Sequence, residues 1–146
     1  MKTSSCQRIA EWFLRIALAT SLLSAVADRV GLWGPPGSAN ASWGDWPHFL
    51  AYSAKLNGWM PAGLQPAAAW IATFAEVALG ILLLIPGCPR WGAILTGALL
   101  AIFALAMTFT LGVKPPLSYS VWTAAGGAFL LAAVWERQAT QGAKSP

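Results

Sequence analysis

Charge is what this sequence most conspicuously lacks: of its 146 residues only 10% are Asp, Glu, Lys or Arg, against 57% hydrophobic ones. A soluble domain of that composition would be covered in exposed apolar surface, so lipid is the solvent that fits it. Histidine is scarcer still. Its sole representative, His48, lies in a loop between apolar stretches, where it cannot hold a membrane haem, and no Cys/His/Asp/Glu cluster has the spacing of metal ligands. The two cysteines, Cys6 and Cys88, form no C-x-x-C, which argues against a quinone-linked thiol oxidase. The net charge of +4 comes from nine scattered Lys and Arg residues; without a basic run or patch to follow a phosphate backbone, nucleic acid is not an expected partner. Any redox role must therefore borrow its cofactor from a partner or from quinone.

What the chain does have is four apolar stretches, residues 9–30, 67–85, 91–111 and 117–135, each near the roughly 20 residues that a helix needs to cross about 30 Å of hydrocarbon. Tryptophans gather at their ends: Trp12, Trp91 and Trp135 on one side, Trp33, Trp70 and Trp122 on the other, as in the aromatic belts of bilayer interfaces. The expected fold is an all-α, integral membrane four-helix bundle forming a single membrane domain over residues 1–146. With both termini on one side, Lys2, Arg8, Arg15, Arg90, Arg137 and Lys144 lie together and Arg29, Lys55 and Lys114 lie opposite. The positive-inside rule then puts both termini, including the tail 136–146, in the cytoplasm of a bacterial inner membrane. Lys2, Arg8 and Arg15 before an apolar run ending Ala25-Val26-Ala27 imitate a cleavable signal peptide, but apolar character resumes at Val30, Leu32 and Trp33, so the segment is read as a retained first helix.

The long connection, residues 31–65, falls on the extracytoplasmic side. Its lead is rich in Gly and Pro, and from Trp46 to Asn57 the residues Trp46, Phe49, Leu50 and Leu56 recur at helical spacing, predicting a short interfacial helix that caps the bundle.

Glu76 is the strongest chemical signal. It sits near the middle of the second stretch, and its helical face also carries Ala69, Ala72, Thr73, Gly80 and Leu83, so the acid should point into the bundle where small residues allow close packing. Similar stripes, Ala17, Ser21 and Ser24 on the first helix, Ala93, Gly97, Ala101, Ala104 and Thr108 on the third, and Ser120, Thr123, Ala124 and Gly127 on the fourth, predict the other packed faces. An acid in hydrocarbon costs a few kcal/mol and marks a candidate functional group. Arg15 is its first candidate counter-charge, with Glu11, four residues earlier, as the competing partner for Arg15. Asp28 and Arg29 read as a solvated helix end at the outer rim. Thr73 and Thr123 are the hydroxyls expected near Glu76, where an apolar groove with an exchangeable proton would suit a quinone.

Arg15-Ile16-Ala17-Leu18, Ala27-Asp28-Arg29, Asn57-Gly58-Trp59-Met60-Pro61 and Phe74-Ala75-Glu76-Val77-Ala78-Leu79-Gly80, with Pro86-Gly87 and Arg90 following, resemble the DoxX family of small four-helix membrane proteins. One branch of that wider family supplies the membrane subunit of a thiosulfate:quinone oxidoreductase, and others are described as parts of membrane-associated oxidoreductase complexes. The resemblance implies a membrane subunit or anchor of a redox complex, with a redox enzyme as partner and contact with quinone; a homo-oligomer is a further expected arrangement, the one a transporter would require. Relatives carry Gly and Lys where this chain has Ala27 and Arg29, so the resemblance assigns that outer pair no role. The alternatives from other classes are a small transporter, for which the single deep acid and unbroken span centres are a poor match, and an assembly factor without chemistry.

Overall fold

The computed structural model describes residues 5–88 and 90–142, and every regular element among them is helical. Helices α1 (Ser5–Arg29), α3 (Gln65–Leu84), α4 (Arg90–Leu111) and α6 (Val121–Gly142) form the bundle, and α2 (Trp46–Leu56) and α5 (Lys114–Ser118) lie in its connections. Among the described residues three helical segments, Ser5–Arg29, Ala62–Leu84 and Arg90–Leu111, are long and apolar enough to cross a membrane.

The expected fourth stretch is divided. Pro115 and Pro116 open the short α5, and Ser120, at φ 56°, breaks the chain before α6 begins at Val121. The apolar part of α6, residues 121–135, therefore reaches only about 22 Å at a helical rise. A run of apolar residues does not reveal this break, because two prolines and a left-handed serine redirect the backbone while the stretch around them stays apolar.

Two antiparallel pairs make the bundle, α1 with α3 and α4 with α6; α3 against α4 and α1 against α6 close the ring. The α1–α3 contact is tight at Gly80, where an added Cβ would come within 2.9 Å of Leu23 Cγ. In α4–α6, Gly97 receives the ring of Phe129 in the same way, at 2.8 Å. The expected packed face of α4 is confirmed at Ala93, Gly97 and Ala104, all buried. Elsewhere the faces are rotated. On α1 the buried residues are Arg15, Leu18, Ala19, Leu22, Asp28 and Arg29, while Ser21 is exposed and Ala17 and Ser24 only half-buried. On α6 the buried set is Ala125, Ala128, Leu131 and Ala132, and Ser120 and Thr123 are exposed. Small residues permit close approach on whichever face a neighbour occupies, but do not choose that face.

The loop between α1 and α3 builds a cap. Asp45 accepts a hydrogen bond from the His48 amide, and Pro47 opens the first turn, which starts α2. Helix α2 then packs on α3, α4 and α1. Aromatic residues of the loop, α2 and α3 interlock: Trp46 lies 4.1 Å from Trp70 between ring centroids, Trp43 meets Phe49 edge-on at 5.1 Å, and Trp70 stacks on Phe74 at 5.5 Å.

Candidate functional site: a buried ion pair beneath the cap

Thr73 and Glu76 follow one another by one helical turn on the buried face of α3, as the sequence predicts. Thr73 lies about 12 Å and Glu76 about 16 Å from the start of α3. The antiparallel α1 ends at this level, so Arg29, its last residue, projects its guanidinium between the helices instead of into water. Arg29 pairs through Nη1 with Glu76, and the same nitrogen donates a 2.6 Å hydrogen bond to the Thr73 hydroxyl. The Thr73 hydroxyl in turn donates to the Ala69 carbonyl at 2.8 Å. Arg29 and Glu76 are each only 3% exposed.

The cap completes the enclosure. Phe49 of α2 places its ring centroid 3.8 Å from the Arg29 guanidinium carbon, and Trp43 lies 5.5 Å away. Ring faces carry negative charge density, so this roof favours a cation beneath it. Next to Arg29, Asp28 is 4% exposed and its Oδ2 accepts from the amides of Ser42 at 3.0 Å and Trp43 at 2.8 Å. One helix end thus ties down the loop through its acid and the bundle through its base.

The counter-charge of Glu76 is therefore Arg29, and the solvated-rim expectation for Asp28 and Arg29 is corrected. What places them inside is the step between helices: α1 stops about two turns short of the start of α3, and the loop and α2 cover it. Arg15 is buried too, but at the other end. It donates through Nε to the Leu83 carbonyl at 2.7 Å and through Nη2 to the Ile85 carbonyl at 2.5 Å, and it lies 4.1 Å from the Trp12 ring and 5.3 Å from that of Trp135. It caps the C-terminus of α3, where carbonyls lack helical donors and the helix dipole favours a cation. Neither sequence-level partner of Arg15 is used, because Glu11 accepts instead from Trp135 Nε1 and, at 3.4 Å, from Gln138. Thr123 is exposed on α6, off the Glu76 cluster.

Arg29 is the residue that sequence reasoning missed. One signal was present: of the three bases assigned to the outer side, Arg29 alone belongs to an apolar helix, and an intramembrane acid requires a cation or a donor. Among the described residues no group of three or more His, Cys, Asp or Glu is placed to hold a metal ion. Cys6 is exposed, whereas Cys88, in the α3–α4 connection, is buried; burial pushes its thiol up against an opposing influence from Arg15.

A family model described as methylamine utilisation protein MauE matches residues 7–135, nearly the whole bundle including the cap. The chain belongs to the MauE family. It is thus a multi-pass membrane protein of a small helical family, related to the one whose motifs the sequence resembles. Comparison with curated proteins and with solved structures returned no match.

Proposed function

We propose that this MauE-family protein is a membrane-embedded accessory subunit of a redox system, and that it presents its α2 cap to a partner on the extracytoplasmic side of the inner membrane. The family match carries the reading: using methylamine as a nutrient requires oxidising its carbon, and the family takes its name from that process. The site is compatible with this role. Its charged groups are engaged with one another beneath Phe49 and Trp43, an arrangement suited to holding a cap in one position for recognition.

Purification from the native membrane in mild detergent tests the reading, followed by identification of bound proteins and lipid-soluble cofactors. A co-purifying dehydrogenase, electron carrier or bound quinone supports it, and a colourless oligomer of this chain alone overturns it in favour of a transporter. Contact between quinone and Glu76 would require the Arg29 pair to open. In that case Glu76→Gln keeps assembly intact but abolishes quinone-linked turnover, whereas in an accessory role without quinone both survive.

The exposed bases support one orientation. Arg8, Arg90 and Arg137 are exposed at the end where α1 starts, joined in sequence by Lys2 and Lys144, against Lys55 and Lys114 at the other end. This distribution supports the reading that both termini are cytoplasmic. A membrane-impermeant maleimide should modify the exposed Cys6 only after permeabilisation, and labelling in sealed cells reverses the assignment.

A further inference from the structure

Helix α2 and the start of α3 enclose a groove of about 390 Å³. Pro47, Leu50, Ala51 and Ala54 make one wall and Ala62 and Pro66 the other, so its surface is mostly apolar. Its inner end is closed. Ala62, Pro66 and Trp70 recur every four residues along the helical segment Ala62–Leu84, and the Trp70 ring meets that of Trp46 at 4.1 Å between centroids. Indole rings mark the headgroup zone, and Pro66 lies about 6 Å beyond Trp70 along the helix, away from the bundle's centre. The groove is therefore on the water side of the tryptophan belt, where acyl chains do not reach. An apolar concavity facing water marks a binding surface.

A held anchor stands beside it. Gln65, which also lines the groove, donates through Nε2 to the Met60 carbonyl at 3.1 Å and the Asn57 carbonyl at 3.5 Å, fixing the turn between α2 and α3. That turn carries Trp59, which is 78% exposed. A large side chain on an ordered turn loses little freedom when a partner covers it, and tryptophan is a frequent centre of interface binding energy. Charge sets the partner's chemistry. Pro47, Ala51 and Lys55 form one exposed row on α2, which puts Lys55 one helical turn beyond Ala51, at the edge of the groove. Lys55 and Lys114, at the head of α5, are exposed and take part in none of the ion pairs among the described residues. The carboxyls at this end are all engaged: Asp45 with the His48 amide and ring, Asp28 with the amides of Ser42 and Trp43, and Glu76 with Arg29. Among the described residues, the cap end thus presents free positive charge and no free negative charge.

We infer that the α2–α3 groove receives an apolar side chain of an extracytoplasmic protein, from a segment that also carries Asp or Glu, with the carboxylate meeting Lys55 and Trp59 covering the contact. The inference rests on the reading of the cap as a docking surface outside the membrane, and adds the chemistry of what docks there: an acidic face with an apolar centre. Opposite charge steers the encounter, while the groove and Trp59 supply the contact that persists.

A photo-crosslinking side chain at Ala51, in the full-length protein in its native membrane, tests this. Ala51 is exposed, so the replacement leaves the core untouched. Mass spectrometry of the adduct should identify an extracytoplasmic protein joined through a segment with an apolar residue flanked by Asp or Glu. The same side chain at Ile102, 60% exposed on α4, should meet lipid only. Lys55→Glu should lower the Ala51 adduct severalfold, and Lys55→Arg should preserve it. Adducts of Ala51 with lipid alone, with a second copy of this chain, with a cytoplasmic protein or with nothing overturn the proposal. So does a protein adduct through a segment without acids, one unchanged by Lys55→Glu, or the same adduct at Ile102. The two readings fail separately: a redox protein that co-purifies without crosslinking at Ala51 removes only this site, whereas an acidic segment from a protein without redox chemistry keeps the site and removes the redox role.

Discussion

Helix α1 carries two buried arginines about 21 Å apart, and both reach across to α3 by different chemistry. Arg15 meets the end of α3, where backbone carbonyls have no helical donor, and is satisfied without any acid. Arg29 meets the middle of α3, where every carbonyl is already bonded along the helix, and needs the side chains of Glu76 and Thr73. A buried cation is thus tolerated at a helix end by geometry alone, whereas at mid-helix it requires a dedicated acid. The first contact fixes how the helices end. The second ties the bundle to its cap.

The largest expected effect separates the two directly. Glu76→Leu leaves the Arg29 guanidinium buried without its acid and should cost about 3–5 kcal/mol, read as a drop in thermal stability in detergent. Arg29→Leu should cost a similar amount, and the double variant Arg29→Leu/Glu76→Leu should recover most of the loss. A double variant whose loss is the sum of the two single losses would show that the pair is not coupled. Arg15→Leu should cost less, about 2–3 kcal/mol for its two charge-assisted bonds, and no acid substitution should rescue it. If Glu76→Leu or Glu11→Leu restored stability to the Arg15 variant, the contrast between the two arginines would collapse.

Phe49→Leu keeps an apolar side chain over Arg29 but removes the ring. A loss of about 1–2 kcal/mol is expected if the cation–ring contact holds the cap, and no loss if α2 is held by packing alone. Faster proteolysis within residues 31–64 should accompany it. The smallest effect concerns the start of α2. The amide and ring of His48 hold the Asp45 carboxyl below the usual aspartate range. Because the folded value is the lower one, its contribution is fully present above the unfolded value and is lost as pH falls through the folded one. Tryptophan fluorescence of the cap should therefore be flat across neutral pH and change only in strong acid. Asp45→Asn, which still caps the helix, should remove that acid step.

Much of this was legible in the chain. Glu76 could be placed on an inward face with Thr73 because their spacing is one helical turn, and α2 could be predicted from the recurrence of Trp46, Phe49, Leu50 and Leu56. Ala93, Gly97 and Ala104 were read correctly on α4 because they coincide with its contact to α6. Arg29 was not legible. Its position at the edge of an apolar run looks the same whether α1 ends level with its neighbours or two turns below them. The rotation of α1 was hidden for a related reason: its buried face carries Leu18 and Leu22 beside Ala19, while its small polar residues Ser21 and Ser24 turn partly or wholly outward.

The sequence by itself determined the apolar solvent, three of the long helices and the position of the acid along its helix. These depend on the run length of apolar residues, on turn residues such as Pro86-Gly87, and on helical periodicity, all of which are local along the chain. Only the tertiary structure decided which base neutralises Glu76, which face of α1 is inside, and that Asp28 anchors the loop. Each of these depends on the relative height and rotation of two helices separated by the long loop, a rigid-body relation set by the close approach at Gly80 and by the aromatic packing of the cap, which no single segment of sequence encodes.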